Sequence, residues 1–495
     1  MKRRFLVFLM CLTFLVPSFA ISEKDFEKNL TVYKLDNGLT FLLYERHDAP
    51  VVSFHTYVDV GSVNETYGIT GISHMLEHMA FKGTTTVGAK DLKKEMQLMK
   101  EIDKKFEKLY YLQDNGGDEK EIAKLKEEIA KLQKEAEEAA NIGEFDRIIS
   151  EAGSPDLNAF TTSDATQYHY SLPSNKIELF CFLESDRFLH PVFRQFYKER
   201  DVVAEERRMR VESSPFGKML EEFQCLCYKY HPYQIPTIGA MSDILHYTRQ
   251  KVENYFKKYY GPATMTIAIV GDFDTEKIKP MLKEYFGRLP RNEKPEPIVT
   301  VEPKQTAVRK VVLREKSQPV YLIGFHRPSV KDRKAEVAFK AIAQILGNGR
   351  TSRLYKRLVK KERKAAYVGC FNGWPGNKYP SMFIIYAIPT PGTSVKELAA
   401  EIDSEIAKLK TEPVSEEELK KVKSKAKADL IYNLDDNAGI AYLLTNYYVK
   451  VGDWREIFKE VDMIEKLTPE DIKFYAEKYL TENGKNVAEI IPDYK

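Results

Sequence analysis

Two histidines and a glutamate stand within five residues, as His74, Glu77 and His78, in the stretch GISHMLEHMAFKGT that starts at Gly71. On a helix His74 and His78 lie one turn apart on the same face, so both imidazoles can reach one cation. Glu77 sits beside them, placed to take a proton from water polarised by that cation. Nitrogen donors around a tetrahedral ion with one open position suit zinc, one ion per site. The spacing H-x-x-E-H is the inverse of the more familiar H-E-x-x-H metallopeptidase signature. The same five residues would also pass as polar positions on an amphipathic helix, so the reading needs a third ligand from elsewhere.

The stretch FYKERDVVAEERRMRVE offers one. Glu199 and Glu206 are seven apart, two helical turns, and share a face beside Val202 and Val203. One carboxylate could bind metal while the other orients a ligand or the water. Without the histidines the same stretch would read as a charged, solvated helix.

The elements that must position these residues fall into two halves. A Pro- and charge-rich run over 288–304 reads as an interdomain linker. It separates 21–287, which holds the candidate zinc site, from 305–495. TRQKVENYFKKYYGPATMTIAIVGD, from Thr248, and TPEDIKFYAEKYLTENGKNVAEIIPD, from Thr468, share a Thr N-cap, an amphipathic helix, a turn and a β-run. Both lie at the end of their half, which predicts a duplicated domain. Strand patterns at 38–45 and 51–60, and VVLRE, PVYLIGF and MFIIYAI in the second half, alternate with long helical patterns. The expectation is an α+β fold of two homologous domains, each a mixed or antiparallel sheet covered by helices. One segment breaks the repeat. Over 91–140, Met99, Ile102, Phe106 and Leu109 precede Asn115-Gly116-Gly117-Asp118, and Ile122, Leu125, Ile129, Leu132, Ala136 and Ala139 follow it. Apolar seams on both sides of a turn predict an inserted antiparallel helical hairpin, either a plain structural insertion or a docking arm.

Lys2-Arg3-Arg4, an apolar run from Phe5 to Val16 and Ser18-Phe19-Ala20 have the design of a secretory signal peptide over 1–20. Its apolar run is short for a bilayer span, which makes an uncleaved anchor the lesser alternative. The expected product is exported, to the periplasm or beyond, with no stable membrane insertion. Removing Lys2, Arg3 and Arg4 takes the balance of 76 basic against 73 acidic residues to 73 against 73. A neutral chain gives no argument for nucleic acid. Cys181, Cys225, Cys227 and Cys370 are too few for a disulfide framework in a chain of this length.

GISHMLEHMAFKGT, NAFTTSDATQYH and ERDVVAEERRMR, in that order, resemble the pitrilysin/insulinase family of zinc metallopeptidases, specifically its processing-peptidase-like subfamily. The resemblance covers nearly all of the chain after the leader except the hairpin. It implies that His74, His78 and Glu206 bind zinc, that Glu77 is the general base and that Glu199 assists catalysis. Glu205 is the alternative ligand by adjacency, but lies about 100° around the helix from the face shared by Glu199 and Glu206. Between His78 and Glu206 127 residues intervene, longer than the family's spacing by about the length of the predicted hairpin. The resemblance further implies that Asn158, Ala159, Phe160 and Thr161 form an edge strand on which an extended peptide adds. Family members that work alone carry an Arg and a Tyr seven apart in the second half. Here Tyr367 is present but Lys360 stands at the Arg position, and lysine lacks the bidentate fork. That departure predicts a dimer, either a homodimer or a heterodimer in which a zinc-free homologous subunit supplies the Arg/Tyr pair. The activity implied is hydrolysis of extended peptides or small unfolded proteins. A catalytically silent assembly subunit and a periplasmic peptide-binding protein are the alternatives.

Overall fold

The computed structural model of the chain describes residues 22–493, so the predicted signal peptide lies outside the described residues. Two sheets organise the molecule. The first contains β1 (Leu30–Lys34), β2 (Thr40–Glu45), β3 (Val51–Val58), β4 (Asn158–Thr161), β5 (Thr166–Pro173) and β6 (Met265–Gly271), in the order β1-β2-β6-β3-β5-β4. The second contains β7 (Arg309–Glu315), β8 (Val320–Arg327), β9 (Ala365–Trp374), β10 (Ser381–Pro389) and β11 (Asn486–Pro492), in the order β7-β11-β8-β10-β9. In each sheet one parallel pair, β2 with β6 and β7 with β11, is followed by three antiparallel pairs. The sheets therefore repeat one topology, with β1 as an addition to the first. The helices that close each repeat begin where the sequence places them, with Thr248 and Thr468 capping Arg249–Tyr259 and Pro469–Tyr479.

Four helices of the first half bear on the site: α1 (Ile72–Met79), α2 (Leu92–Asp114), α3 (Glu119–Glu138) and α4 (Phe196–Arg207). The inserted segment folds as the two arms α2 and α3, capped by the side chains of Asp91 and Asp118. Met99, Ile102, Phe106 and Leu109 on one arm and Leu125 and Ile129 on the other are buried. The segment is not a free arm: α2 packs along α4, as described below.

The halves are interlocked rather than merely tethered. A fifth helix, α5 (Pro215–Cys227), belongs to the first half but covers the second sheet. There Met219, Phe223 and Cys227 pack with Leu322, Met382, Ile384, Ala488 and Ile490. In the second half, α6 (Arg333–Leu346) follows β8, and α7 (Asn437–Val451) crosses back to lie on β3 and β6. Ile440, Ala441 and Leu444 of α7, with Ile457 and Phe458 of α8 (Glu456–Glu465), enclose Phe26, Leu42, Tyr44, Ala268 and Val270. With both faces covered, β6 reads MTIAIVG, a buried run that is apolar but for Thr266 rather than an alternating one. Each fully buried Leu, Ile or Phe contributes about 1.5–3 kcal/mol, so the exchanged helices hold the halves together without the run at 288–304. No helix among the described residues is long and apolar enough to cross a membrane.

Candidate metal centre

Helix α1 starts at a turn that only glycine tolerates. Gly71 has φ +85°, and a Cβ there would meet the Ile238 carbonyl oxygen at 2.4 Å. The first N–H groups of α1 are taken by a buried carboxylate: Glu65 accepts from Gly71 N at 2.6 Å and Ser73 N at 2.8 Å. Burial pushes the Glu65 carboxyl up to about 7, against the pull of those two bonds. Ser73 Oγ lies 3.0 Å from the Tyr255 hydroxyl, tying the same turn to Arg249–Tyr259.

With α1 fixed, its two histidines face Glu206 of α4. His78 Nε2 lies 3.3 Å and His74 Nε2 3.7 Å from Glu206 Oε2. One donor atom from each of the three residues falls within 4.8 Å of the others. Donors about 2.0–2.1 Å from a tetrahedral zinc stand about 3.3–3.4 Å apart, so the cluster is near the dimensions such an ion requires. Donor chemistry agrees. Burial, and then the neighbouring His78, push His74 down to about 4, leaving a neutral imidazole. Its buried Nδ1 has no hydrogen-bond partner. His78 behaves differently. Burial works against its charge, but hydrogen bonds to Glu199 and Glu206 outweigh it and raise the ring to about 9. A metal binding at Nε2 would have to displace that ring's proton. The donor types present fit zinc, and His74, His78 and Glu206 are the residues that could hold it.

Glu199 lies one shell further out. Its Oε1 pairs with His78 Nδ1 at 2.8 Å, which directs Nε2 toward Glu206, and its Oε2 meets Lys82 Nζ at 2.5 Å. Glu205, the adjacent candidate, is exposed and pairs with Arg208 instead. Glu206 Oε1 meets Arg210 at 2.9 Å. Glu77 points at the sheet edge: its Oε2 accepts from Thr161 Oγ1 at 2.6 Å. Burial raises the Glu77 carboxyl, as suits a proton acceptor. Thr161 ends β4, the outermost strand of its sheet, beyond which no further strand pairs among the described residues. Asn158 and Ala159 begin that strand. Phe160 turns to the opposite face, 6.2 Å from the His169 ring and 6.5 Å from that of Tyr442.

Lys360 and Tyr367 are not brought to this cluster by any contact among the described residues. Lys360 is the penultimate residue of a short π-helix, Tyr355–Lys361. Tyr367 lies on β9, the edge of the second sheet, stacked on Tyr386 at 5.1 Å.

Three contributors escaped the sequence reading. Glu65 caps α1 from six residues before Gly71 with no motif to announce it. Lys82 follows His78 by four residues, a helical spacing that could have pointed to its place beside Glu199. The hairpin supports α4: Phe106 stacks on Tyr197 with ring centroids 3.6 Å apart, and Arg200 lies over Phe106 at 5.1 Å. Asp103 accepts from Arg249 and from the Tyr197 hydroxyl.

Comparison with known proteins decides the family. Residues 40–102 match the family model described as "Insulinase (Peptidase family M16)", and residues 246–426 match "Peptidase M16 inactive domain". Across 426 residues the chain is 31% identical to "Zinc protease PqqE" of Helicobacter pylori, covering 84% of this chain and 82% of that protein. The chain belongs to the M16 peptidase family. An M16 relative from Rickettsia felis, named an uncharacterized zinc protease, is 24% identical over 90% of this chain and 94% of its own. The crystal structure of a protease from Helicobacter pylori superposes with a TM-score of 0.78 at 26% identity, covering 94% of this chain and 99% of that one. A Pseudomonas fluorescens structure described as a peptidase M16 inactive domain gives 0.75 at 15% identity, covering 94% and 98%. The M16 architecture thus extends over both halves. Its repeat is chemically one-sided here: α6, which follows β8 as α1 follows β3, carries no histidine. In its place Arg333, Glu336 and Lys340 form ion pairs.

Proposed function

We propose that this M16 chain is an exported zinc metalloendopeptidase that hydrolyses extended peptides or small unfolded proteins. The observation that carries the reading is the link between Glu77 and the edge strand. One carboxylate stands beside the His74–His78–Glu206 cluster and is hydrogen-bonded to Thr161 of β4. An extended peptide adding to the open edge of β4 would form main-chain hydrogen bonds there and run past Glu77. His74, His78 and Glu206 would hold the ion, and Glu199, backed by Lys82, would keep His78 oriented. Zinc, when bound, supplies a Lewis acid for the scissile carbonyl and lowers the pKa of water. Glu77 takes the proton of the attacking water and returns it to the leaving amine. Thr161 holds the Glu77 carboxylate toward the strand in both states.

Lys360, standing where an Arg is expected, supports a further part of the reading: the chain works as a dimer, either with a second copy of itself or with a zinc-free homologous subunit that supplies an Arg/Tyr pair. The test is cleavage of internally quenched peptides by the full chain, with metal removed and restored, and by Glu77→Gln. Chelation and Glu77→Gln are each expected to abolish cleavage while the variant still binds zinc. Undiminished cleavage by Glu77→Gln would sink the mechanism, and full activity from a purified monomer would sink the partner.

A further inference from the structure

The face of the first sheet opposite the metal cluster holds a cation, Lys450, with no direct ion-pair partner among the described residues. Thr161 points toward α1, so Phe160, its neighbour on β4, points the other way. On that side α7, which lies over β3 and β6, brings Tyr442 up to the strand. Tyr442, Asn446 and Lys450 are four apart and form one stripe. Tyr442 stands near Phe160, and Asn446 Nδ2 reaches Gln167 Oε1, opposite Phe160 in the ladder, at 3.3 Å. Lys450 continues the stripe toward the turn that joins β4 to β5. The same three residues line a cavity of about 220 Å3 whose far wall is Val330, Glu336, Lys340 and Asn377 of the second half.

Every other charge around this cavity is engaged. Lys340 pairs with Glu460 and Glu336, and Glu336 with Arg327. Lys378 pairs with Asp59 at 2.6 Å. Asp164 accepts from the backbone N–H groups of Asn377 and Lys378 and from the Tyr233 hydroxyl. Lys450 alone has no hydrogen bond or ion pair among the described residues; burial pushes its ammonium pKa down, against the longer-range pull of Asp164, Glu336 and Asp59, all of which are already engaged. A cation partly withdrawn from water with no carboxylate in direct contact is costly. A carboxylate arriving from outside would remove that cost.

We propose that the stripe Tyr442–Asn446–Lys450 and the facing wall form a specificity subsite that takes a carboxylate of the bound peptide on Lys450. This rests on the reading that extended peptides add to β4. A peptide there sends alternate side chains to the two faces of the sheet, and those on the Phe160 face pass over the stripe. The carboxylate is that of an Asp or Glu side chain, or the C-terminal carboxylate of a short peptide. Tyr442 supplies an apolar flank and Asn446 a polar one.

The test uses amidated, internally quenched peptides that differ only by Glu for Gln at successive positions, plus the Gln series with a free C-terminus. Cleavage is measured with the zinc-loaded full chain. Binding is measured separately by fluorescence anisotropy with zinc-loaded Glu77→Gln. At one position Glu is expected to be preferred over Gln by about tenfold, the scale of one charge-assisted hydrogen bond. Lys450→Met is expected to bring that ratio close to one, Lys450→Arg to keep it, and Lys450→Glu to reverse it in favour of Lys-containing peptides. A gain that follows the free C-terminus supports the same site and assigns the carboxylate to the chain end. A preference that survives Lys450→Met, or no preference at any position, overturns the proposal. If nothing is cleaved yet the Glu77→Gln chain binds with the preference, the peptidase reading fails and the subsite stands.

Discussion

Substituting Glu199 by Gln tests whether the outer carboxylate sets the chemistry of the inner cluster. Glu199 does two things at once. It orients His78 through a 2.8 Å hydrogen bond to Nδ1, and with Glu206 it holds that ring's pKa at about 9. Loss of an orienting partner of this kind lowers metal affinity about 10- to 100-fold, or about 1.4–2.7 kcal/mol. The second effect has the opposite sign near neutrality. In the wild-type chain at pH 7 a zinc ion must expel a proton from a group about two units above the ambient pH, at a cost of about 2.7 kcal/mol. With Glu199 neutralised the His78 pKa falls and most of that cost disappears. The two effects therefore offset at pH 7 and separate at higher pH, where neither chain carries the proton. Zinc affinity, measured by competition with a chromogenic chelator, should rise about tenfold per pH unit toward pH 9 in the wild type. In Glu199→Gln it should level off earlier and stay lower by the full 10- to 100-fold. Isothermal titration in buffers of different ionisation enthalpy should find about one proton released per zinc at pH 7 in the wild type, and fewer in the variant. Glu205→Gln, on the exposed side of the same helix, should match the wild type. Equal affinities and equal pH slopes in wild type and Glu199→Gln would refute the assignment.

Three other perturbations follow from the packing. Phe106→Ala removes the ring stacked on Tyr197 and should cost about 3–5 kcal/mol of stability. If the hairpin supports α4, zinc affinity falls as well; a thermal melt paired with a zinc titration separates that from simple destabilisation. Glu65→Gln keeps one acceptor for the N–H groups of Gly71 and Ser73 but turns an amide donor toward the other. A loss of about 1–3 kcal/mol in denaturant unfolding is expected, and an unchanged midpoint would count against the capping role. His55 lies buried on β3 where α7 crosses, paired with Thr445 at 2.9 Å. Burial, and then His169, push it down to about 3. Because an unfolded histidine takes up its proton near pH 6.5, the folded chain should lose about 1.4 kcal/mol per unit as pH falls from 6.5 toward 3. His55→Phe should flatten that slope in denaturant titrations run from pH 7 to 4, and an unaltered slope would remove His55 from the account.

What could be read from the sequence and what could not divide along a physical line. The H-x-x-E-H spacing, the pairing of Glu199 with Glu206 and the hairpin seams are helical periodicities, so short windows disclose which side chains share a face. The duplication was also legible, because Thr248 and Thr468 open the same helix–turn–strand pattern in each half, whereas the strand order within each sheet was not. Glu65 was not, since a glutamate six residues ahead of a helix looks like any surface acid until the chain folds it under Gly71. The exchange of α5 and α7 was hidden for a related reason. Their apolar faces say that each helix is buried but not against which sheet, and a duplicated sequence suggests that each half covers itself. That exchange bears directly on the candidate site. Through it α7, a helix of the half whose own α6 has no histidine, lies over β3 and β6 and brings Tyr442 up to Phe160 on the edge strand next to Glu77. Any side-chain selectivity on that face of the strand is therefore written in residues 442–450, far along the chain from every motif around the metal.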